Sequence, residues 1–311
     1  MKKKTKIEKE QKEKIEEKSE EFFLSGHYAC SGCGAAIAMR HIAKIAGKNS
    51  IFTIATGCME VVSTKWPQSS WKLPLIHSAF ENAAATASGI EAALKQQGKK
   101  MNVIAIAGDG GTFDIGLQAL SGAIERGHKF VFVCYDNEAY MNTGIQRSSA
   151  TPFHGETTTT PYGKLIHGKL EWKKNLPFII ASHSKKVYVA TASIAYWADF
   201  QNKLKKAIAH DGPSYIQVLT PCVPGWGYQS NKSIELARLA VETCIYPLYE
   251  IEEGKINLNI ISEKPKIVEL YLSKQKRFAN LTDKEIDEIQ YSVNEEYLKL
   301  KQLNESKIKI F

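Results

Sequence analysis

The sequence has no apolar run that approaches the ~20 residues a membrane-spanning helix needs. Its first residues are almost all Lys and Glu and hold no apolar core of a secretory signal. The expectation is a cytoplasmic protein with no membrane partner. Cysteine is scarce, six in 311 residues. In a reducing compartment such cysteines are not a disulfide framework and point to a metal or to buried thiols. Neither helix-turn-helix, zinc-finger nor aromatic RNA-binding signatures are present, which disfavours nucleic acid. There is no internal repeat.

What is there is an ordinary globular composition, 43% hydrophobic, with a net charge of +8. Residues 1–21 carry eight Lys and seven Glu, and residues 231–311 carry thirteen basic and fourteen acidic side chains, so the excess lies in 22–230. A basic body suits an acidic protein partner, although a solvated surface explains it equally simply. The expected organisation is a charged arm over 1–21, an α/β domain over 22–230 and a helical extension over 231–311.

Residues 103–144 organise the chain. Two apolar runs, Val103 to Ala107 and Phe130 to Tyr135, each end in a polar turn and are separated by about twenty residues of amphipathic pattern, which reads as a βαβ unit of a parallel sheet. Ile51 to Ala55, Val187 to Ala190 and Ser214 to Leu219 read as further strands. Ala35 to Ala46, the segment from Ser78 to Leu94, Ser193 to His210 and Ser233 to Cys244 read as helices. The fold class is α/β, a doubly wound and mostly parallel sheet. Arg147 to Tyr162, rich in Thr and Pro, reads as a lid or a polar linker.

Gly108, Gly110 and Gly111 let the backbone approach a ligand and offer N–H groups to a phosphate. Asp109 among them would repel that phosphate unless a hard divalent cation bridged the two. Asn137, 28 residues later at the end of the next strand, has an amide oxygen to complete the cation's shell. Gly-Asp-Gly followed at this spacing by Asn resembles the magnesium-diphosphate motif of thiamine diphosphate enzymes. That resemblance adds the backbone carbonyl of Ala139 to Asp109 and Asn137 as Mg²⁺ ligands.

Cys30 and Cys33 form a Cys-x-x-Cys in a glycine-containing loop, Cys58 follows the strand ending at Ala55, and Cys222 follows the strand ending at Leu219. In a parallel sheet the two strand-end cysteines share the carboxyl edge with Asp109 and Asn137, where open sheets bind ligands. The ligands alone are compatible with an iron-sulfur cluster, with zinc or with no metal. A thiamine site beside them favours the cluster, because it can withdraw electrons one at a time. Cys134, inside a strand, and Cys244, placed on a helix, are expected to be packed thiols.

The combination resembles the thiamine-binding β subunit of 2-oxoacid:ferredoxin oxidoreductases, most closely the pyruvate type. His-Tyr-Ala-Cys-Ser-Gly-Cys-Gly-Ala, Ala-Thr-Gly-Cys58, Ser-Ala-Phe-Glu-Asn-Ala-Ala-Ala, Gly-Asp-Gly-Gly, Asp-Asn-Glu-Ala-Tyr-Met-Asn-Thr-Gly, Thr-Pro-Cys222 and Tyr-Leu-x-x-Gln-x-Arg-Phe carry the resemblance across about residues 22–285. It implies that Cys30, Cys33, Cys58 and Cys222 ligate a 4Fe-4S cluster and that Gly57 and Asn142 lie at the cofactor. It implies oxidative decarboxylation of a 2-oxoacid with coenzyme A, pyruvate or else 2-oxoisovalerate, with electrons passing to ferredoxin. It also implies partner subunits: an α subunit with a pyrimidine-binding domain that supplies the activating carboxylate, a γ subunit and a ferredoxin-like δ subunit. Glu60 and Glu81 are the carboxylates of this chain nearest the motifs, and a surface or packing role is expected for both. Two competing readings stand beside this one. A non-oxidative thiamine decarboxylase or synthase leaves the cysteines idle, and a zinc-stabilised non-catalytic module leaves Asp109 idle.

Overall fold

A computed structural model describes residues 20–306 and 308–310; all but the last two residues of the expected charged arm lie outside that range. Eight strands form one sheet in the order β2-β1-β3-β4-β6-β5-β7-β8. They are β1 Ser50–Ala55, β2 Leu75–Ser78, β3 Asn102–Gly108, β4 Val131–Asp136, β5 Tyr188–Ser193, β6 Ser214–Leu219, β7 Tyr249–Glu252 and β8 Lys255–Leu258. Strands β1 to β6 pair in parallel, while β7 and β8 add an antiparallel edge.

The central strands bury both faces, so they read as continuous apolar runs. Alternate side chains go to opposite layers. Ile104 and Ile106 of β3 with Val131, Val133 and Tyr135 of β4 face one core. Val103, Ala105, Ala107, Phe132 and Cys134 face the other. Helices α1 (Gly34–Ala46) and α6 (Trp197–Ala209) cover the first layer through residues such as Met39, Ile42, Phe200 and Leu204. Helices α3 (Ala83–Gln96) and α4 (Leu117–Glu125) cover the second, where Ala83, Ala84 and Ala87 allow α3 to lie close to the sheet. Three short helices complete this part: α2 (Cys58–Ser63), α5 (Leu176–Ala181) and α7 (Val223–Trp226).

The segment after residue 230 holds more than the expected helices. It contains α8 (Ser233–Glu242), α9 (Glu269–Leu272) and the long α10 (Asp283–Ser306), and it also supplies β7 and β8 to the common sheet. Around the Glu253-Gly254 turn the pairs Tyr249↔Leu258 and Ile251↔Ile256 turn inward, and their alternation with charged residues masks the hairpin in the sequence. A third core of Trp226, Leu236, Leu248, Tyr271 and Phe278 ties this segment to the body. Cys244 lies just past the end of α8, not on it, with φ 59°. Among the described residues no helix is long and apolar enough to cross a membrane.

The chain runs from β1 outward to β2 and then returns to place β3 on the other side of β1, so the strand order reverses between β1 and β3. Such a reversal opens a crevice beyond the carboxyl ends of the two strands. The residues that leave β1 and β3 there are Gly57-Cys58 and Asp109-Gly110.

Candidate active site

A cleft at this crevice is lined by Gly57, Cys58, Phe80, residues 108–111, Tyr135, Asn137 and residues 139–143. Asp109 enters it directly from β3, and a single π-helical turn, Gly110–Ile115, follows, a local irregularity common at functional sites. The Asp109 carboxylate is wholly buried. Its Oδ1 accepts the Asn137 backbone N–H at 3.3 Å and its Oδ2 accepts the Ser148 hydroxyl at 2.5 Å. Burial, and then the neighbouring Asp136, push its pKa well above the ordinary carboxylate value. An ionised form in this position therefore calls for a cation.

The oxygens around it are arranged for one. One terminal atom of the Asn137 carboxamide lies 2.8 Å from Asp109 Oδ1 and 2.9 Å from the Ala139 carbonyl oxygen. As nitrogen it donates to both. As oxygen it is an acceptor set against two other acceptors, an arrangement that a cation reconciles. Ligands about 2.0–2.1 Å from Mg²⁺ in an octahedron stand about 2.9 Å apart along its edges, so the spacing fits this ion. Asp109, Asn137 and Ala139, the three ligands expected from the sequence, are thus brought together.

The glycines of the cleft are also used by neighbouring aromatic rings. A Cβ on Gly57 would stand 2.6 Å from the Tyr135 hydroxyl, and Gly110 lies under the ring of Tyr140. The Tyr140 hydroxyl donates to Asp114 Oδ2 at 3.1 Å. Asn142 is exposed at the mouth of the cleft. Glu60 accepts from the Thr64 hydroxyl at 2.9 Å and stands 3.4 Å from His77, in keeping with a packing role. Glu81 is half-buried just before α3.

Sequence reasoning missed Ser148. It lies in the stretch expected to be a lid or linker, yet Ser148, Ala150 and Thr151 are buried against the site. Thr151 donates to the Glu138 carbonyl at 2.8 Å, and Lys169, enclosed by the carbonyls of Thr151, Glu171 and Trp172, holds this loop from behind. No local pattern marks a serine as a support for a carboxylate 39 residues away. Ser148→Ala removes a hydrogen bond to a charged group, which is worth about 1.5–3 kcal/mol. Half-saturating Mg²⁺ for cofactor binding, followed by retained thiamine diphosphate, should rise roughly tenfold or more.

The cysteines approach the same edge from three directions. Cys33 stands at the N-cap of α1, Cys58 opens α2 and Cys222 stands at the N-cap of α7. The Gly34 N–H donates to the Pro221 carbonyl at 3.2 Å, and the Ser233 hydroxyl donates to the Gly32 carbonyl at 2.5 Å. A Cβ on Gly34 would stand 2.8 Å from Pro221 N, so only glycine lets the Cys-x-x-Cys loop close on the Cys222 loop. Burial pushes the thiols of Cys33, Cys58 and Cys222 up, the latter two to about 12. Nearby thiols add to the rise, with Cys222, Cys33 and Cys30 acting on Cys58. Among the described residues no three His, Cys, Asp or Glu side chains are grouped so as to hold a single metal ion. Cys134 and Cys244 are buried elsewhere, as expected.

Comparison with known proteins bears on this geometry. The family described as "Thiamine pyrophosphate enzyme, C-terminal TPP binding domain" matches residues 55–218. Pyruvate synthase subunit PorB of Methanocaldococcus jannaschii is 57% identical over 284 residues, which span 89% of this chain and 95% of that one. The chain belongs to the β-subunit family of the 2-oxoacid:ferredoxin oxidoreductases, pyruvate synthase type. Ketoisovalerate oxidoreductase subunit VorB of Pyrococcus furiosus is 49% identical across 92% of this chain and 94% of that one. The solved 2-oxoglutarate:ferredoxin oxidoreductase of Magnetococcus marinus shares the fold, with a TM-score of 0.56 at 20% identity over 70% of this chain and 79% of that one. A thiamine-diphosphate-dependent β subunit of an oxidoreductase is therefore what the cleft serves. Both of these relatives are named as subunits.

Proposed function

We propose that this β subunit acts in the oxidative decarboxylation of pyruvate, with coenzyme A receiving the acyl group and ferredoxin the electrons. The observation that carries the reading is the convergence of Asp109 Oδ1, the Asn137 carboxamide and the Ala139 carbonyl at the strand-order reversal, beside four thiols on the same edge. Asp109, Asn137 and Ala139 would hold Mg²⁺. Gly57, Gly108, Gly110, Gly111 and Asn142 would lie against thiamine diphosphate, and Cys30, Cys33, Cys58 and Cys222 would carry a 4Fe-4S cluster. When bound, thiamine diphosphate supplies an electron sink for loss of CO₂, and the cluster supplies one-electron transfer.

The chain's own residues bind, orient and exclude water. Ser148 fixes the Asp109 carboxylate, Trp226 fixes the Asn137 carbonyl by donating to it at 2.8 Å, and Phe80, Tyr135, Tyr140 and Met141 wall the cleft. Burial raises the Cys33 and Cys222 thiols, so the thiolate forms a cluster requires would be held by the cluster's own positive iron. A cytoplasmic setting, where thiols stay reduced, suits that group.

The substrate divides the relatives between two names. Four pyruvate synthase subunits at 52–57% identity, against three ketoisovalerate subunits at 48–49% and a fifth pyruvate synthase subunit at 45%, favour pyruvate, with 2-oxoisovalerate as the second reading. Among the described residues, the buried carboxylates that line or adjoin the cleft are Asp109, Asp136 and Glu138. All three are already engaged, Asp136 by Lys173 and Gln217. The activating carboxylate is therefore assigned to an α subunit with a pyrimidine-binding domain, in a complex with γ and ferredoxin-like δ subunits. Purified chain supplied with thiamine diphosphate, Mg²⁺, coenzyme A, 2-oxoacid and ferredoxin should show no turnover, and adding the other subunits should restore it. Full turnover by this chain alone would overturn the assignment, and a complex that oxidises 2-oxoisovalerate in preference to pyruvate would select the second substrate.

A further inference from the structure

Glu138 sits between two residues that the proposed function gives to the cation, and it is the most constrained residue of that loop. Its φ of 69° lies in the left-handed region that a side-chain-bearing residue rarely adopts. Its carboxylate is 3% exposed and is held by two cations, Lys173 Nζ at 2.8 Å from Oε1 and Arg277 Nη2 at 2.6 Å from Oε2. Lys173 is shared: it also donates to Asp136 Oδ2 at 2.6 Å, which further accepts from Gln217 Nε2 at 2.7 Å. Among the described residues Arg277 pairs with no second carboxylate. Its guanidinium lies 4.0 Å over the ring of Trp226, and that indole donates to the Asn137 carbonyl. Gln275 Oε1 accepts the Arg277 Nε–H at 2.9 Å, and the Arg277 carbonyl accepts the Glu156 N–H at 3.1 Å.

Two lines of contact therefore run from Arg277 to the metal loop, one through the Glu138 carboxylate and one through Trp226 to Asn137. Lys173 cannot replace it, because the charge of Lys173 is already matched by Asp136. Without Arg277 the buried Glu138 carboxylate has half a counter-charge and no partner at Oε2, so it swings toward solvent. That change removes what holds the backbone left-handed at 138. The Asn137 carboxamide and the Ala139 carbonyl, which flank that residue, then turn away from Asp109.

We infer that Arg277, 139 residues beyond Glu138 in the chain, is a positioning residue for the cation site: with Trp226 it holds residues 137–139 in the one backbone conformation that aims both oxygens at Asp109. The inference rests on the Mg²⁺ reading of Asp109, Asn137 and Ala139. It gives the Gln-x-Arg-Phe stretch of the C-terminal segment a role at the cofactor end of the sheet. It also differs from a purely structural anchor, which would stabilise the third core but leave the oxygens where they are in any molecule that stays folded.

The test uses the assembled complex stripped of thiamine diphosphate and Mg²⁺, with the cofactor held at saturation while Mg²⁺ is titrated and retained thiamine diphosphate is measured. Melting temperature is recorded in parallel. Arg277→Met should raise half-saturating Mg²⁺ at least tenfold. Arg277→Lys keeps the charge without the planar fork or the ring contact, and a rise of about threefold to tenfold is expected from it. The double variant Glu138→Gln/Arg277→Met removes both charges together, so it should regain melting temperature relative to Arg277→Met while its Mg²⁺ requirement stays raised. A structural anchor would instead recover both together, and that result overturns the inference. Should Arg277→Met fail to assemble, Arg277→Lys and the double variant decide. An unmoved Mg²⁺ requirement in either overturns the inference alone. A wild-type complex that needs no Mg²⁺, matched by Asp109→Ala, overturns the metal site and the inference with it.

Discussion

Asp109→Ala is expected to abolish cofactor retention at ordinary thiamine diphosphate concentrations. The variant leaves the cation that would bridge to the diphosphate without its buried counter-charge, and breaking one partner of a buried charge pair costs about 3–5 kcal/mol, or roughly 10²- to 4 × 10³-fold in affinity. Iron content should stay near that of the wild-type chain, because the Cys-x-x-Cys loop is pinned to residues 220–233 and not to Asp109. The same carboxylate sets a pH dependence. Burial raises its pKa, so proton and cation compete for it, and Mg²⁺-dependent cofactor retention should weaken as pH falls through that raised value. Asp109→Asn removes the titration along with most of the affinity. Retention of thiamine diphosphate by Asp109→Ala at wild-type strength would remove the site assignment.

Cys222→Ser is the second large effect. Its thiol stands at the end of β6 on a cap whose neighbours are fixed by Gly34, Gly225 and Pro221, so no other donor can swing into its place. Loss of one of four thiolate ligands should strip most of the roughly four irons per chain that a 4Fe-4S cluster implies. Anaerobically prepared variant should lose its brown absorbance and its transfer of electrons to ferredoxin, and should still bind thiamine diphosphate. Cys134→Ser and Cys244→Ser provide the contrast, since both thiols are buried, one inside β4 and one just past α8, and both variants should keep their iron. Iron retained in full by Cys222→Ser, or stoichiometric zinc without sulfide in the wild-type chain, would sink the cluster reading.

Much of this was legible because the central strands announce themselves. A strand buried on both faces needs only apolar and β-branched residues, and Ser214–Leu219 was placed from sequence with the bounds it has in the structure. The site ligands were legible for a related reason: in a parallel sheet every strand ends at one edge, so residues that follow strands are neighbours whatever their separation. Asp109 and Asn137 follow from that rule and a spacing, and Ala139 from the resemblance to thiamine diphosphate enzymes. The β7–β8 hairpin does not, since alternating Glu and Lys on its outer face look like a charged helix until the partner strand β5 is known. Ser148, Lys173 and Arg277 were not assigned to the site either. Each acts through one long-range contact and carries no local pattern of its own.

The sequence by itself determined which atoms could serve: a carboxylate among glycines at one strand end, an amide at the next, a close pair of thiols and two strand-end thiols. These are local facts, since strand propensity and turn chemistry act over a few residues. Only the tertiary structure decided how those atoms are aimed. The left-handed turn at Glu138, the closure of the Gly34 loop on Pro221 and the buried Lys173–Asp136–Glu138–Arg277 network depend on segments more than a hundred residues apart meeting in one place. Buried charges have strong energies only at specific distances and in the absence of water. Those distances exist once the sheet has assembled and the C-terminal segment has packed against it.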